Sequence, residues 1–379
     1  MQRTVFDEEH EALRSTARNF FEKECIPQRG KWAEQGHADR SAWLRAGELG
    51  LLAFDVAEEY GGPGVDDWRF NAVVAEEAAR SATGLGLVLQ NDVAAPYLNS
   101  LATAEQKKRW LPGLVTGETI TAIGMSEPVA GSDLKNIATT ARRDGDSWVL
   151  NGSKTFITSG ILADLVIVVC RTDPDAGHKG FSLIVVEADA PGFTKGNKLD
   201  KIGNRGSDTA ELFFNDARVP AENLLGEQGR GFYYLMHNLA KERLGIAVNA
   251  VASAERAYEI TLDYAKTREI FGQKVGTMQA NRFSLAEIDT KFKVTRGYVD
   301  RCIQGAVDGD LTSEEAAAAK WWATEVQWEI MDRCMQLHGG YGYINEYEIA
   351  LLWKDARVQR LYGGTTEVMK DLIGRSLGL

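Results

Sequence analysis

The stretch LGIAVNAVASAERAYEITLDYA, residues 244–265, indicates a long amphipathic helix. Its apolar residues recur every three or four positions, as one face of a helix requires: Leu244, Val248, Val251, Ala254, Tyr258, Leu262 and Ala265. Charged residues such as Glu255 and Lys266 fall off that row. Because a helix of this length needs other helices to cover its apolar face, the stretch predicts a C-terminal helical bundle.

Two further stretches, 285–306 and 319–337, repeat this apolar spacing. Thr312 and Glu315 form a capping box before the second, and the glycine pair at 339–340 ends it. A shorter helix is predicted around 346–361. Residues 229–379 are therefore predicted to form a four-helix bundle domain.

The remainder of the chain divides into a helical part and a β part. Residues 1–120 predict helices, one of them opened by a capping box at Thr103 and Gln106. Residues 121–228 contain short β-type runs such as LVIVVC and FSLIVVE. Asn151-Gly152, inside WVLNGSKTFI, predicts a β-hairpin turn at that pair. The expected fold class is α+β.

Composition excludes several classes of function. A net charge of -11 opposes binding to a nucleic-acid backbone, which needs a concentrated positive surface. The longest apolar run, LVIVVC, is far shorter than the roughly 18 residues that span a membrane. The four cysteines and five histidines show no metal-binding or disulfide spacing. The first residues lack the pattern of a signal peptide, so we expect a soluble, cytoplasmic protein.

Two long motifs narrow the function. GMSEPVAGSDLKN, residues 124–136, is rich in backbone and hydroxyl donors suited to an anion or a polar heterocycle. It resembles the first signature of the acyl-CoA dehydrogenase family, and QLHGGYGYINEYEIALLWKDAR, residues 336–357, resembles the second. Asn136 and Leu351 depart from the usual residues of these signatures. The resemblance covers essentially the whole chain and is greatest to the long-chain members of the family.

That resemblance implies an N-terminal α-helical domain, a middle β-barrel domain, a C-terminal four-helix bundle and an FAD cofactor. Positions that match the family's flavin-ring contacts are Met125, Ser126, Phe156 and Thr158. Thr365 and Thr366, near the C-terminus, are also expected to contact the cofactor. Positions that match contacts to the diphosphate and adenosine of a neighbouring subunit's FAD are Arg268, Phe271, Gln279, Gln336, Gly339 and Gly340. A shared cofactor site of this kind implies a homo-oligomer, a tetramer by resemblance.

The family removes a proton from Cα of an acyl thioester while a hydride leaves Cβ for the flavin. A weak carbon acid of this kind needs a desolvated carboxylate base and donors to the thioester carbonyl. Many members carry the base directly after the tyrosine of a Tyr-Glu-Gly-Thr motif, where this chain has Gly363. Long-chain and isovaleryl members instead carry it just before an arginine on the long helix, which corresponds here to Glu242 before Arg243.

The sequence therefore predicts FAD-dependent conversion of an acyl-CoA, medium or long, to a trans-2-enoyl-CoA. Glu242 is the expected base, and Gly363 contributes its backbone N–H to the thioester carbonyl. Ser132 and Arg243 are expected on the substrate side, and an electron-transfer flavoprotein is the expected acceptor. Three alternatives remain open: a dehydrogenase of acyl-carrier-protein thioesters in lipid or siderophore biosynthesis, an oxidase, and a flavin-free helical scaffold.

Overall fold

A computed structural model describes residues 3–379 and begins with a layer of helices. Its helices are α1 (Glu8–Phe20), α2 (Arg29–Gln35), α3 (Arg40–Glu48), α4 (Trp68–Ser81), α5 (Leu87–Leu89), α6 (Ala95–Leu101) and α7 (Ala104–Thr116). The capping box predicted at α7 is confirmed, since Thr103 Oγ1 accepts a hydrogen bond from the Gln106 backbone N–H at 3.3 Å. Residues 1 and 2 of the predicted N-terminal domain lie outside the described residues.

The segment between α5 and α6 is a π-helical turn, Gln90–Ala94. Three successive polar side chains of this turn are buried. Gln90 bonds both backbone groups of Thr121 at the start of the sheet, and Asn91 bonds the Leu51 carbonyl and the Ala53 N–H. The wider turn thus packs polar groups against the protein interior, an arrangement frequent at functional sites.

One sheet follows the helical layer. Its strands are β1 (Thr121–Gly124), β2 (Thr140–Asp144), β3 (Ser147–Thr158), β4 (Leu165–Arg171), β5 (Phe181–Glu187), β6 (Phe193–Lys198), β7 (Thr209–Pro220) and β8 (Leu224–Leu225). Hydrogen-bonded neighbours run in the order β6, β7, β3, β2, β4, β5, β8, and β1 pairs in parallel with β4. Strands β2 and β4 meet at a single residue pair, Thr140 with Arg171.

The sheet encloses an apolar core. Leu150 of β3 and Leu212 of β7 belong to the same buried cluster as Val168 of β4 and Ile184 of β5. The two halves of the sheet therefore wrap around a common interior, as the predicted barrel requires. Within the described residues, the hydrogen-bonded order of strands does not close, because β6 and β8 stand at its two ends. On the opposite face of β4, residues such as Ile167 pack against the helical layer.

The hairpin predicted at Asn151-Gly152 is wrong. Both residues lie inside β3, where the pairing with β7 shifts register between Leu150 and Gly152. The Asn151 side chain exchanges two hydrogen bonds with Asp216 of β7, whose φ is +49°. Gly152 is needed because a Cβ there would lie 2.5 Å from Thr139 Oγ1. A strand irregularity therefore produces the same Asn-Gly signature as a turn.

The C-terminal part is a bundle of long helices. They are α8 (Gly231–Thr267), α9 (Gln279–Asp308), α10 (Ser313–His338), α11 (Glu348–Ala356) and α12 (Thr366–Ser376), with a two-stranded ribbon, β9 (Glu269–Ile270) and β10 (Gln273–Lys274), after α8. The predicted cap of α10 is confirmed, since Thr312 and Glu315 form a capping box. The predicted α, β, α order is also confirmed.

Within this bundle most of the predicted apolar row of α8 is buried, and Tyr258 and Leu262 are partly buried. Leu244 and Val248 share a cluster with Val299 of α9 and Ala323 of α10, and α4 of the N-terminal layer joins the same cluster. This contact fixes α8 between the two helical layers. Of the helices in residues 3–379, none combines the length and apolar character needed to cross a bilayer.

Candidate active site

Glu242 lies on α8 and points toward the N-terminal layer. Its side chain is half-buried, and the buried Tyr97 of α6 donates a hydrogen bond from its hydroxyl to Glu242 Oε1 at 3.2 Å. Burial raises the pKa of Glu242 to about 7, and the nearby Asp92 adds to the rise, whereas the Tyr97 hydrogen bond and the Arg243 charge oppose it. A carboxyl group with this pKa can accept a proton near neutral pH.

The loop around Gly363 packs against the same turn of α8. Gly363 and Gly364 have φ of +64° and +95°, the left-handed region that glycine adopts without a steric penalty. A Cβ on Gly363 would lie 2.4 Å from Ile246 Cδ1, one helical turn beyond Glu242. Ile246 therefore occupies the space into which a side chain at position 363 would project.

Two cations hold the carbonyl groups of this loop. Arg243 Nε donates to the Gly363 carbonyl at 3.4 Å, and the buried Lys320 of α10 donates to the Gly364 carbonyl. Burial and, to a lesser degree, the positive charge of Arg243 lower the pKa of Lys320 to about 8. Within residues 3–379, no acceptor is bonded to the Gly363 N–H. That N–H is thus available to a ligand beside Glu242.

The two threonines after this loop already have partners within the protein. Thr365 caps α12, since its hydroxyl accepts a hydrogen bond from the Val368 N–H at 3.3 Å. The buried Thr366 donates to Glu325 at 2.9 Å. Their predicted contacts with the cofactor stay predictions, and the structure gives both hydroxyls a role in holding the loop.

The loop that follows β1 contains Met125, Ser126 and Ser132, and a buried ion pair anchors it. Lys154 Nζ donates to Glu127 Oε1 at 2.7 Å and to the Val169 carbonyl at 2.7 Å. Burial alone would raise the pKa of Glu127, but the Lys154 charge and hydrogen bonds outweigh it and hold that pKa below its usual value. Because both residues are buried, this pair fixes the loop to the sheet.

Phe156 lies at the edge of that loop in an uncommon conformation. Its φ is +59°, the pairing of β3 with β7 shifts register there, and 70% of its side chain is exposed. A positive φ is a true outlier for a bulky residue and often marks a functional site. Thr158, two residues on at the end of β3, is also exposed. The Thr155 N–H bonds the Ser126 carbonyl, which joins this strand to the loop.

A cleft of about 610 Å³ lies at the far end of α8. Four of the six residues predicted to bind the neighbouring subunit's cofactor line it: Arg268, Gln336, Gly339 and Gly340. Gln279 begins α9 and does not line the cleft, and neither does Phe271, which is 94% exposed with φ of +49°. The sequence thus predicted four of the twelve residues that line this cleft.

Comparison with known proteins identifies the family. Three domain models of acyl-CoA dehydrogenase match the chain: the N-terminal domain at 7–118, the middle domain at 122–217 and the C-terminal domain at 229–378. The chain belongs to the acyl-CoA dehydrogenase family. Members of this family are FAD-dependent oxidoreductases, and this chain is such an enzyme, so the flavin-free scaffold is excluded.

Three similar proteins show how closely this acyl-CoA dehydrogenase matches others. The mitochondrial long-chain specific acyl-CoA dehydrogenase of Sus scrofa is 46% identical over 99% of this chain and 88% of its own length. The mitochondrial short-chain specific enzyme of Bos taurus is 36% identical over 99% and 92%. The crystal structure of an acyl-CoA dehydrogenase from Geobacillus kaustophilus is 49% identical, covers 100% of both chains and has a TM-score of 0.98.

The residues of this acyl-CoA dehydrogenase fit a dinucleotide cofactor. A Cβ added to Gly339 or Gly340 would meet no atom within 4 Å, so both leave room in the cleft, and the φ of +58° at Gly339 also favours glycine there. The Arg268 guanidinium lies 5.5 Å from the Tyr341 ring, at the same wall. A planar cation beside open backbone suits a diphosphate, and exposed aromatic rings suit a flat heterocycle.

Four residues of this site were not predicted from the sequence. They are Tyr97, Asp92, Ile246 and Lys320, all placed within reach of Glu242 or Gly363 by the fold. None of them carries a local sequence signal, since three lie in ordinary helices and Asp92 lies in a π-helical turn that the sequence did not predict. Only the pairing of Glu242 with Gly363, which rested on family resemblance, directs attention to this region.

Proposed function

We propose that the protein oxidises a medium- or long-chain acyl-CoA to a trans-2-enoyl-CoA, with Glu242 as the base. The observation that carries the proposal is the position of Glu242: a half-buried carboxyl group with a raised pKa, on the turn of α8 that packs against the Gly363 loop. The usual position of the base is filled by Ile246, so a carboxylate from α8 takes its place.

Different residues of the chain serve different steps of the proposed reaction. The Glu242 carboxylate takes the proton from Cα of the thioester, and the Gly363 N–H donates to the carbonyl oxygen on which negative charge develops. Arg243 and Lys320 bond the carbonyl groups of Gly363 and Gly364, which stabilises the loop that carries this N–H. Bound FAD, held by residues such as Phe156 and Arg268, supplies the acceptor for the hydride from Cβ.

Chain length, electron acceptor and assembly are part of the proposal. The greater identity to a long-chain enzyme than to a short-chain one supports a longer acyl group. An electron-transfer flavoprotein is the proposed acceptor. A homotetramer is the proposed assembly, supported by the exposed Phe271 beside the cleft. A cytoplasmic location stays a prediction. The relatives from Sus scrofa and Bos taurus named above are mitochondrial enzymes.

The test is anaerobic bleaching of the purified flavoprotein by butanoyl-CoA, octanoyl-CoA and hexadecanoyl-CoA. We expect rapid bleaching by the longer thioesters, and a loss of at least about a hundredfold in rate for Glu242→Gln, since the base is removed. Glu367→Gln is the matched control, because Glu367 lies on α12 just after the same loop, and it should bleach like the parent.

Equal bleaching by Glu242→Gln and the parent would place the base elsewhere. A parent that fails with every CoA thioester but bleaches with an acyl-carrier-protein thioester would overturn the proposed carrier. Rapid production of peroxide in air would identify an oxidase.

A further inference from the structure

Tyr97 connects the base to the N-terminal layer. The residue lies on α6 with no exposed side-chain surface, and it is 145 residues from Glu242 in sequence. Burial raises the pKa of its hydroxyl well above the usual value, and the Glu242 charge raises it further, so Tyr97 keeps its proton. It is therefore a fixed donor to one carboxylate oxygen, and the other oxygen remains for the reaction.

Asp92 presents a second buried carboxyl group to the same stretch of α8. Its Oδ1 accepts a hydrogen bond from Asn71 Nδ2 at 2.9 Å, whereas its buried Oδ2 has no hydrogen-bond partner within residues 3–379. A Cβ added to Gly245 would lie 2.4 Å from that oxygen. Asp92 is thus pressed against α8 one turn from Glu242, at a position where glycine permits the approach.

The charged surroundings of Glu242 come from three elements. Tyr97 comes from α6, Asp92 from the π-helical turn, and Arg243 from α8 itself. Asp92 is in turn influenced by Lys241 of α8 and by Asp55, and Arg243 faces Lys320 of α10. Tyr97 stabilises the ionised form of Glu242, whereas an ionised Asp92 disfavours it, so the two neighbours act in opposite directions.

We propose that Tyr97 and Asp92 are positioning residues for the reaction: Tyr97 holds the Glu242 carboxylate by its hydrogen bond, and Asp92 opposes it with a second buried carboxyl group. This inference rests on the proposed function. Together the two residues set the pH at which the base becomes active. Both residues belong to the N-terminal helical layer, so the packing of that layer on α8 influences the pH dependence of the reaction.

The test measures the rate of anaerobic flavin bleaching against pH, with hexadecanoyl-CoA and octanoyl-CoA as probes. The parent rate should rise with pH through about 7, where Glu242 loses its proton. Tyr97→Phe removes the donor and should move that rise to higher pH by roughly 0.5–1 unit. Burial raises the pKa of Asp92 to about 7 as well, so its charge forms over the same pH range. Asp92→Asn prevents that charge from forming and should move the rise to lower pH. Tyr60→Phe, a buried tyrosine of the same layer, is the control.

Shifts of opposite sign support the proposal, because a loss of packing alone would lower the rate at every pH. Profiles that stay at the parent pH, or that both move in one direction, overturn it. If Tyr97→Phe does not fold, the sign of the Asp92→Asn shift decides, and an unchanged or upward shift contradicts the role of Asp92. A parent that is not bleached, by contrast, would contradict the proposed function itself.

Discussion

At the scale of single residues, the contact between Gly363 and Ile246 limits which side chain position 363 can carry. Gly363 has a left-handed backbone, and the Ile246 side chain fills the space beside it. A residue with a side chain at position 363 would be destabilised both by the strained φ and by the clash with Ile246. The space that a side chain at position 363 would need is therefore filled by the Ile246 side chain.

Gly363→Ala should lower the free energy of unfolding by about 1–3 kcal/mol, because alanine is strained at this φ and its Cβ overlaps Ile246. Urea denaturation monitored by circular dichroism measures the change. Gly374→Ala is the control: Gly374 lies in α12, and a Cβ there meets no atom within 4 Å, so that variant should be as stable as the parent or more so. Equal effects of the two substitutions would contradict the argument.

The site could be predicted from the sequence only where a motif carries it. Glu242 and Gly363 were found through motifs that resemble known signatures. Tyr97 and Asp92 were not, because their roles depend on how α6 and the π-helical turn dock on α8. Contacts between residues that lie so far apart in sequence leave no periodic or spacing signal.

At the scale of elements, local chemistry predicted helix starts better than strand turns. The capping boxes at Thr103 and Thr312 were predicted correctly because both partners lie within one turn of helix. The Asn151-Gly152 signature was interpreted wrongly because its partner, Asp216, lies on another strand. The apolar spacing of α8 predicted a buried face, whereas the identity of the helices that cover it came only from the structure.

An ion-pair network ties α1, α4 and α9 together. The buried Glu76 of α4 is paired with Arg3 and with Arg14 of α1, and Arg3 also contacts Asp300 of α9. Burial alone would raise the pKa of Glu76, but the arginines outweigh it and lower the pKa to about 2. Its folded pKa thus lies below the usual value near 4.5. The contribution of the ionised Glu76 to the free energy of unfolding is therefore fully present above about pH 4.5 and is lost as the pH falls toward 2.

Glu76→Gln should lower the free energy of unfolding at pH 7 by about 3 kcal/mol, because the arginines lose a buried partner. The difference from the parent should shrink as the pH is lowered below 4.5, where Glu76 takes up a proton in the unfolded parent but stays ionised in the folded parent. Urea denaturation at pH 7 and at pH 4 measures both effects. Glu346→Gln, in an exposed loop, is the control. A difference that is independent of pH would show that the charge of Glu76 contributes nothing.

At the scale of the whole molecule, the cleft beside Phe271 is open on one side. Phe271 projects from the ribbon after α8 and is almost entirely exposed, and Tyr343, between the cleft-lining Tyr341 and Ile344 in sequence, is also largely exposed. Aromatic side chains exposed in this way are typical of an interface. A second copy of the chain that completes the cleft would bury them.

Phe271→Ser should weaken cofactor retention several-fold and reduce the fraction of tetramer, because an aromatic contact of about 1 kcal/mol is lost at each shared site. Size-exclusion chromatography with light scattering gives the assembly, and absorbance of the filtrate after dilution gives the released flavin. Leu379→Ser, which alters a residue that is 93% exposed at the C-terminus, should behave like the parent. A monomeric parent that retains its flavin would contradict the proposed shared site.

The packing of Ile246 on Gly363 also restricts the order in which this site can change over evolutionary time. A glutamate at position 363 would have a strained left-handed backbone and a Cβ 2.4 Å from Ile246 Cδ1, so the isoleucine side chain would have to move or be replaced by a smaller residue, which would leave a cavity beside Glu242. A direct transfer of the carboxylate from position 242 to position 363 would therefore pass through a less stable intermediate sequence. Lineages with this isoleucine are expected to keep the carboxylate on the long helix.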